Sequence, residues 1–163
     1  MIILGIDPGL ALTGYGIIKE KTGKMEEITY GCIRTRAEDS RAQRLLNIYR
    51  DLEEIITKFN PDSVAVEEIF FNKNSRSAFL VGEARGAALL AAAQSNLEAF
   101  EYTPLQVKQS VVGYGRATKN QVMEMVKILL NLKKPVKPDD AADALAVAIC
   151  HLHSHKLKMR GLL

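Results

Sequence analysis

The acidic residues Asp7, Glu67, Glu68, Asp140 and Asp143 each sit against sequence that has little use for charge. Asp7 closes the run Ile2-Ile3-Leu4-Gly5-Ile6 and precedes Pro8-Gly9, while Glu67 and Glu68 close Ser63-Val64-Ala65-Val66. Asp140 and Asp143 are three residues apart among Ala141, Ala142, Ala144, Leu145, Ala146, Val147, Ala148 and Ile149. On a helix that spacing puts both on one face, about 5–6 Å from each other, and a helix apolar nearly all round is buried. A turn aspartate bonding its own backbone would account for Asp7 taken alone. Acids in a first helical turn complement the helix dipole, which stabilises by a few tenths to about 1 kcal/mol, and this suffices for Asp139. Neither reason explains why three distant segments all deliver carboxylates to a buried boundary. Like charges gathered at low dielectric repel until one protonates or a cation neutralises them. Oxygen donors without His or Cys suit Mg²⁺ or Mn²⁺. Two such ions about 4 Å apart activate a water and stabilise the leaving oxygen of a phosphodiester, so the predicted chemistry is that of a metal-dependent nuclease.

The elements that must hold these acids are legible in outline. The opening apolar run suits a central strand buried on both faces. Thr13–Lys19 and Ile28–Thr35 read as two further strands around the turn-rich 20–24 segment, giving an antiparallel opening. Ser40 with Gln43 makes a capping-box signature, and Leu45, Tyr49, Leu52, Ile56 and Phe59 then recur at helical spacing up to Asn60-Pro61. A buried strand from Ser63 ends in Glu67-Glu68, where strand alternation cannot choose between the two acids. A helix over about 77–96 carries Gly82 and Gly86 one turn apart. Interior glycines cost a helix roughly 1 kcal/mol each and so mark the approach of another backbone, either the sheet or a second subunit. A short strand over 98–102, a helix from Thr103-Pro104 to about Val112, a helix over 119–131 and a last helix from Pro138 to about His155 complete the order β-β-β-α-β-α-β-α-α-α. The fold class is α/β, with a five-stranded mixed sheet flanked by helices.

A chain of 163 residues with 47% hydrophobic content buries a core of its own without metal or disulfide staples. Residues 1–155 are expected to form one domain and 156–163 a short basic C-terminal tail. Cys32 and Cys150 lack C-x-x-C spacing and read as buried thiols, and His151, His153 and His155 as surface residues. No apolar run approaches the roughly 18 residues of a membrane span, and no signal peptide opens the sequence, so a cytoplasmic protein is expected. The net charge of +3 is unevenly spread: residues 1–102 hold 12 Lys/Arg against 15 Asp/Glu, and residues 103–163 hold 10 against 4. That basic final third points to a polyanion partner.

Matching segments run along nearly the whole chain: Ile3-Leu-Gly-Ile-Asp-Pro-Gly9 with Thr13-Gly-Tyr-Gly16, Gly31-Cys-Ile-Arg-Thr35, Glu67 with Phe70, Gly82-Glu-Ala-Arg-Gly86, Gln106-Val-Lys-Gln109, Val111-Val-Gly113, and Asp140-Ala-Ala-Asp-Ala-Leu-Ala146. Through them the sequence resembles the RuvC family of bacterial Holliday-junction resolvases, within the ribonuclease H-like superfamily. The resemblance implies a ribonuclease H-like fold and four acidic ligands, Asp7, Glu67, Asp140 and Asp143, holding two Mg²⁺ ions per subunit, with Mn²⁺ as a substitute. It favours Glu67 over Glu68. It further implies a homodimer that nicks opposing strands of a four-way DNA junction symmetrically, with RuvA and RuvB branch-migration proteins as partners. By the same match Phe70 stacks at the junction bases, Lys108 and Lys119 lie near the scissile phosphate, and Arg76 and Arg116 contact phosphates. An actin-like kinase also opens with Gly-Ile-Asp but needs a second lobe. A non-catalytic binding module gives no reason for four converging acids. Another ribonuclease H-like nuclease shares the metal chemistry but not the extent of the resemblance.

Overall fold

The opening strand lies at the centre of the sheet. In the computed structural model, which describes residues 1–68, 75–159 and 161 with residues 75–77 by backbone alone, β1 (Ile2–Asp7) pairs antiparallel with β2 (Leu12–Lys21) and parallel with β4 (Ser63–Glu67). β3 (Lys24–Arg34) extends the sheet beyond β2, and β5 (Ala99–Tyr102) runs parallel to β4, giving the order β3-β2-β1-β4-β5. The expected α/β class and mixed five-stranded sheet are therefore observed.

Among the described residues, two helices cover one face and three the other. Leu4, Ile6, Ile17, Val64 and Val66 pack under α1 (Arg41–Phe59) and α2 (Ser75–Gln94). Ile3, Ile18 and Ala65 pack under α3 (Pro104–Val112), α4 (Lys119–Leu129) and α5 (Asp139–Met159). Because side chains alternate along a strand, Asp7 follows Ile3 and Gly5 to the α5 face, and Glu67 follows Ser63 and Ala65 there.

Glycines set how close α5 comes. A Cβ at Gly5 would overlap the Ala144 carbonyl and lie 2.8 Å from the Ala148 nitrogen; one at Gly16 would lie 2.6 Å from Leu145 Cγ; one at Gly14 would overlap the Asp140 carbonyl. Gly16 is the cross-strand partner of Gly5, and Gly14 that of Asp7. The bare patch lets the alanine-rich helix rest its backbone on the sheet, with its first turn over the end of β1.

Several local expectations are revised. β3 begins at Lys24 rather than Ile28, because the hairpin continues to a two-residue turn, Thr22-Gly23, with both φ values positive (51° and 86°), the geometry that matches strand twist. Ser40 caps α1 through the Gln43 nitrogen, but the Gln43 side chain bonds Asn47 (2.9 Å) instead of closing the box. Complete boxes occur at Thr103/Gln106 and Thr118/Gln121. α5 continues past the expected end near His155 to Met159, so Lys156 and Lys158 ride on the helix. Cys150 is buried and Cys32 half-buried.

His151, expected at the surface, is buried. His151 is 2% exposed; its Nε2 is hydrogen-bonded to Ser63 Oγ (3.0 Å) and its Nδ1 to Tyr102 Oη (2.8 Å). It ties α5 to β4 and β5, which a lone sequence position cannot reveal. Burial, aided by the neighbouring His155, lowers its pKa to about 4, so the ring is neutral. His153 is half-buried, with Nδ1 3.1 Å from the Ser110 carbonyl oxygen.

Candidate active site

Parallel strands β1 and β4 end side by side, so Asp7 and Glu67 emerge together on the α5 face. The glycine patch then places Asp140 and Asp143, on the first turns of α5, above them. Burial, followed by the charges of Glu67, Asp143 and Asp140, pushes the Asp7 pKa up to about 8. Asp7 and Glu67, side by side, therefore resist ionising together at neutral pH. Burial and then the Asp143 charge also raise the Glu67 carboxyl, against the opposing pull of Asp7, Lys119 and Lys108. Asp143 is raised by burial first, with Lys119 opposing.

Lys119 supplies the nearest positive charge. Its Nζ lies 2.9 Å from Asp143 Oδ2 and 3.7 Å from Asp139 Oδ2, while Asp139 also pairs with Lys137 at 2.8 Å. A lysine at the first position of a helix opposes the helix dipole, and Thr118 fixes it there as the N-cap. Although burial pulls the other way, these acids raise the Lys119 pKa. On the neighbouring helix the Thr103 box sets the first turn, and Val107 and Lys108 follow at its end. Glu67, Asp143, Lys108, Lys119, Pro104 and Val107 line one cleft of about 200 Å³.

The structure thus brings together Asp7, Glu67, Asp140, Asp143, Lys108 and Lys119. Glu67 and Glu68 part company: Glu68 sits past the strand, its N–H donating to the Tyr102 carbonyl (2.8 Å). Arg116 is exposed on the loop between α3 and α4 and makes no ion pair with the four acids. Phe70 and the Arg76 side chain lie outside the described residues. Cys32, opposite Gly14 in the β2–β3 ladder, is a neighbour the sequence did not suggest; burial and then the Asp140 charge keep it a thiol.

The donor set is all oxygen, which suits a hard divalent cation. Among the described residues no three His, Cys, Asp or Glu side chains stand in a ligating arrangement. Asp143 is engaged otherwise, by Lys119. The raised Asp7 carboxyl is the feature that a cation would relieve.

The sequence profile of the family described as crossover junction endodeoxyribonuclease RuvC matches residues 3–151, a span containing all four acids. The chain belongs to the RuvC family. A RuvC from Alkaliphilus oremlandii is 62% identical over 154 residues, 94% of each chain. One from Ruminiclostridium cellulolyticum is 58% identical over 157 residues, 96% of this chain and 95% of that one. Thermus thermophilus RuvC, solved in complex with a Holliday junction substrate, superposes with a TM-score of 0.92 at 35% identity, covering 97% of this chain and 96% of that one. The sheet and helices are accordingly the ribonuclease H-like fold that the RuvC resemblance implied.

Proposed function

We propose that the protein is a Holliday-junction resolvase, an endonuclease that nicks two opposing strands of a four-way DNA junction symmetrically in recombination and repair. The observation that carries this reading is the convergence of Asp7, Glu67, Asp140 and Asp143 at one sheet end, with Lys108 and Lys119 lining the cleft beside Glu67 and Asp143, in a RuvC-family chain. The four carboxylates would hold two Mg²⁺ ions, with Mn²⁺ substituting. When bound, such ions supply an activated water and charge stabilisation at the leaving oxygen. Lys108 and Lys119 attract the backbone phosphate and oppose charge that builds up on it. Lys119 is held at the cleft by Asp143 and Asp139. A cleft of about 200 Å³ has room for a strand's phosphate rather than a whole duplex. No helix among the described residues is long and apolar enough to cross a membrane, which fits the proposed cytoplasmic location, with RuvA and RuvB as partners.

Two symmetric nicks require two equivalent sites related by a two-fold axis. On α2, Phe79 and Leu90 are 62% and 65% exposed, and Gly86 between them on the same face meets open space rather than the sheet. This apolar face supports a homodimer. Gly86→Leu is expected to dissociate it in sedimentation velocity runs; an unchanged dimer would remove this face from the interface. The function itself is tested by cleavage of a labelled synthetic four-way junction beside duplex and RNA–DNA hybrid controls, in Mg²⁺ and in EDTA. Paired, metal-dependent nicks confined to the junction support the reading. Cutting of the hybrid alone would move the chain to another nuclease activity.

A further inference from the structure

The loop joining α3 to α4 runs between the two cleft lysines and carries features that the four-acid chemistry does not use. Tyr114 is 45% exposed, and Leu105, beside the cleft wall Pro104, is 58% exposed. Gly115, next to Tyr114, links the two. A Cβ at Gly115 would overlap Leu105 Cδ1 and lie 3.1 Å from its Cγ, so the loop backbone folds back onto the first turn of α3. The loop is pinned at both ends: Gly113, at φ 95°, caps α3 through the Gln109 carbonyl, and Thr118 boxes the start of α4. The result is a fixed apolar shelf, with an aromatic ring at its edge and Arg116 exposed beside it, next to a phosphate-sized cleft.

We infer that Tyr114, supported by Leu105, forms a stacking platform for a nucleobase of the strand whose phosphate enters the cleft. The inference rests on the junction-nuclease reading. Its occupant follows from position and charge: Lys108 and Lys119 line the cleft at Pro104, next to Leu105, and Arg116 is exposed two residues after Tyr114. A nucleic-acid strand offers what such a shelf can hold, a flat π-face one sugar away from an anionic phosphate. Base–aromatic stacking tolerates any sequence yet varies in strength with the base, so this contact biases which nucleotides flank the cut. Tyr114 acts by positioning and touches no reacting atom.

The test uses full-length protein in EDTA and synthetic four-way junctions carrying 2-aminopurine at successive positions beside the cleavage site. Wild-type binding should quench one position strongly. Tyr114→Ser should remove that quench and weaken junction binding roughly fivefold to a hundredfold, and Tyr114→Phe should restore both. The slope of log affinity against log salt should stay unchanged in Tyr114→Ser, which removes no charge, and fall by about one in Arg116→Ala. Leu105→Ser, checked for an unchanged melting temperature, should reproduce the loss of quench. Wild-type affinity and quench in Tyr114→Ser, or a Tyr114→Phe protein as impaired as the serine variant, would overturn the platform while leaving the nuclease intact. A wild-type protein that neither prefers nor cuts junctions would instead remove the reading beneath it, and the platform with it.

Discussion

Replacing Asp7 by Asn should make the metal-free protein more stable while disabling it. Asp7 has a folded pKa of about 8 against an ordinary value of 3.8. A carboxyl raised on folding contributes stability below its unfolded pKa, and that stability is lost as pH rises through the folded pKa. At pH 7 the unfolded chain ionises Asp7 and the folded chain holds it protonated, a difference worth up to about 4 kcal/mol at roughly 1.4 kcal/mol per unit. Asn carries no proton to lose. Allowing half of the limit for relaxation leaves a gain of about 2 kcal/mol, or about 4–8 °C in Tm for a chain of this size. The assay is thermal unfolding followed by circular dichroism in EDTA at pH 5, 6, 7 and 8. The stability gap should widen with pH. Mg²⁺ should raise the melting temperature of the wild type and much less that of the variant. Junction cleavage should fall by at least about a hundredfold with binding retained. A variant that melts at or below wild type in EDTA throughout this range would refute the account of carboxylate repulsion, and loss of binding would make Asp7 a structural residue.

Gly14→Ala drives a methyl group into the Asp140 carbonyl. It should cost roughly 1–3 kcal/mol in urea unfolding and depress cleavage further than the stability loss explains, since α5 must lift; wild-type cleavage would mean that the helix is free to shift. Glu67→Gln should abolish cleavage in the gel assay while Glu68→Gln retains it, and the reverse result would exchange their roles. His151 has its folded pKa lowered to about 4 from 6.5. Stability is therefore lost as pH falls through the unfolded pKa toward the folded one. Wild type should lose about 2 kcal/mol relative to His151→Gln between pH 7 and pH 5, read from urea midpoints at each pH; a pH-independent difference would show that the ring does not resist protonation.

The site was legible to different depths at different residues. Asp7 could be read because a carboxylate ending a doubly buried strand has few structural uses, and Asp140 with Asp143 because helical periodicity alone puts them on one face. The Glu67–Glu68 choice was open because a strand's period of two says that adjacent residues face opposite ways without saying which way the core helix lies. Ser63 bonding His151 and Ala65 packing under the α3–α5 layer settle the parity. Lys119 left a trace, a cation at a helix start directly after the capping Thr of the Thr118-x-x-Gln121 box. Gly14 and Gly16 stood in plain view, yet their purpose depends on a helix some 130 residues later in the chain. His151 misled because three histidines near the end of a chain look solvated, whereas α5 lies across β4 and buries the first of them.

The sequence by itself determined the elements, the amphipathic faces and the inventory of acids, since these follow from local periodicity, turn chemistry and the cost of placing charge beside apolar runs. Which carboxylates meet, which of them keeps a proton, and which lysine stands opposite were decided only by the tertiary structure. Those properties depend on distances between segments far apart in the chain, and here they are fixed by how closely one alanine-rich helix can approach three glycines on a twisted sheet.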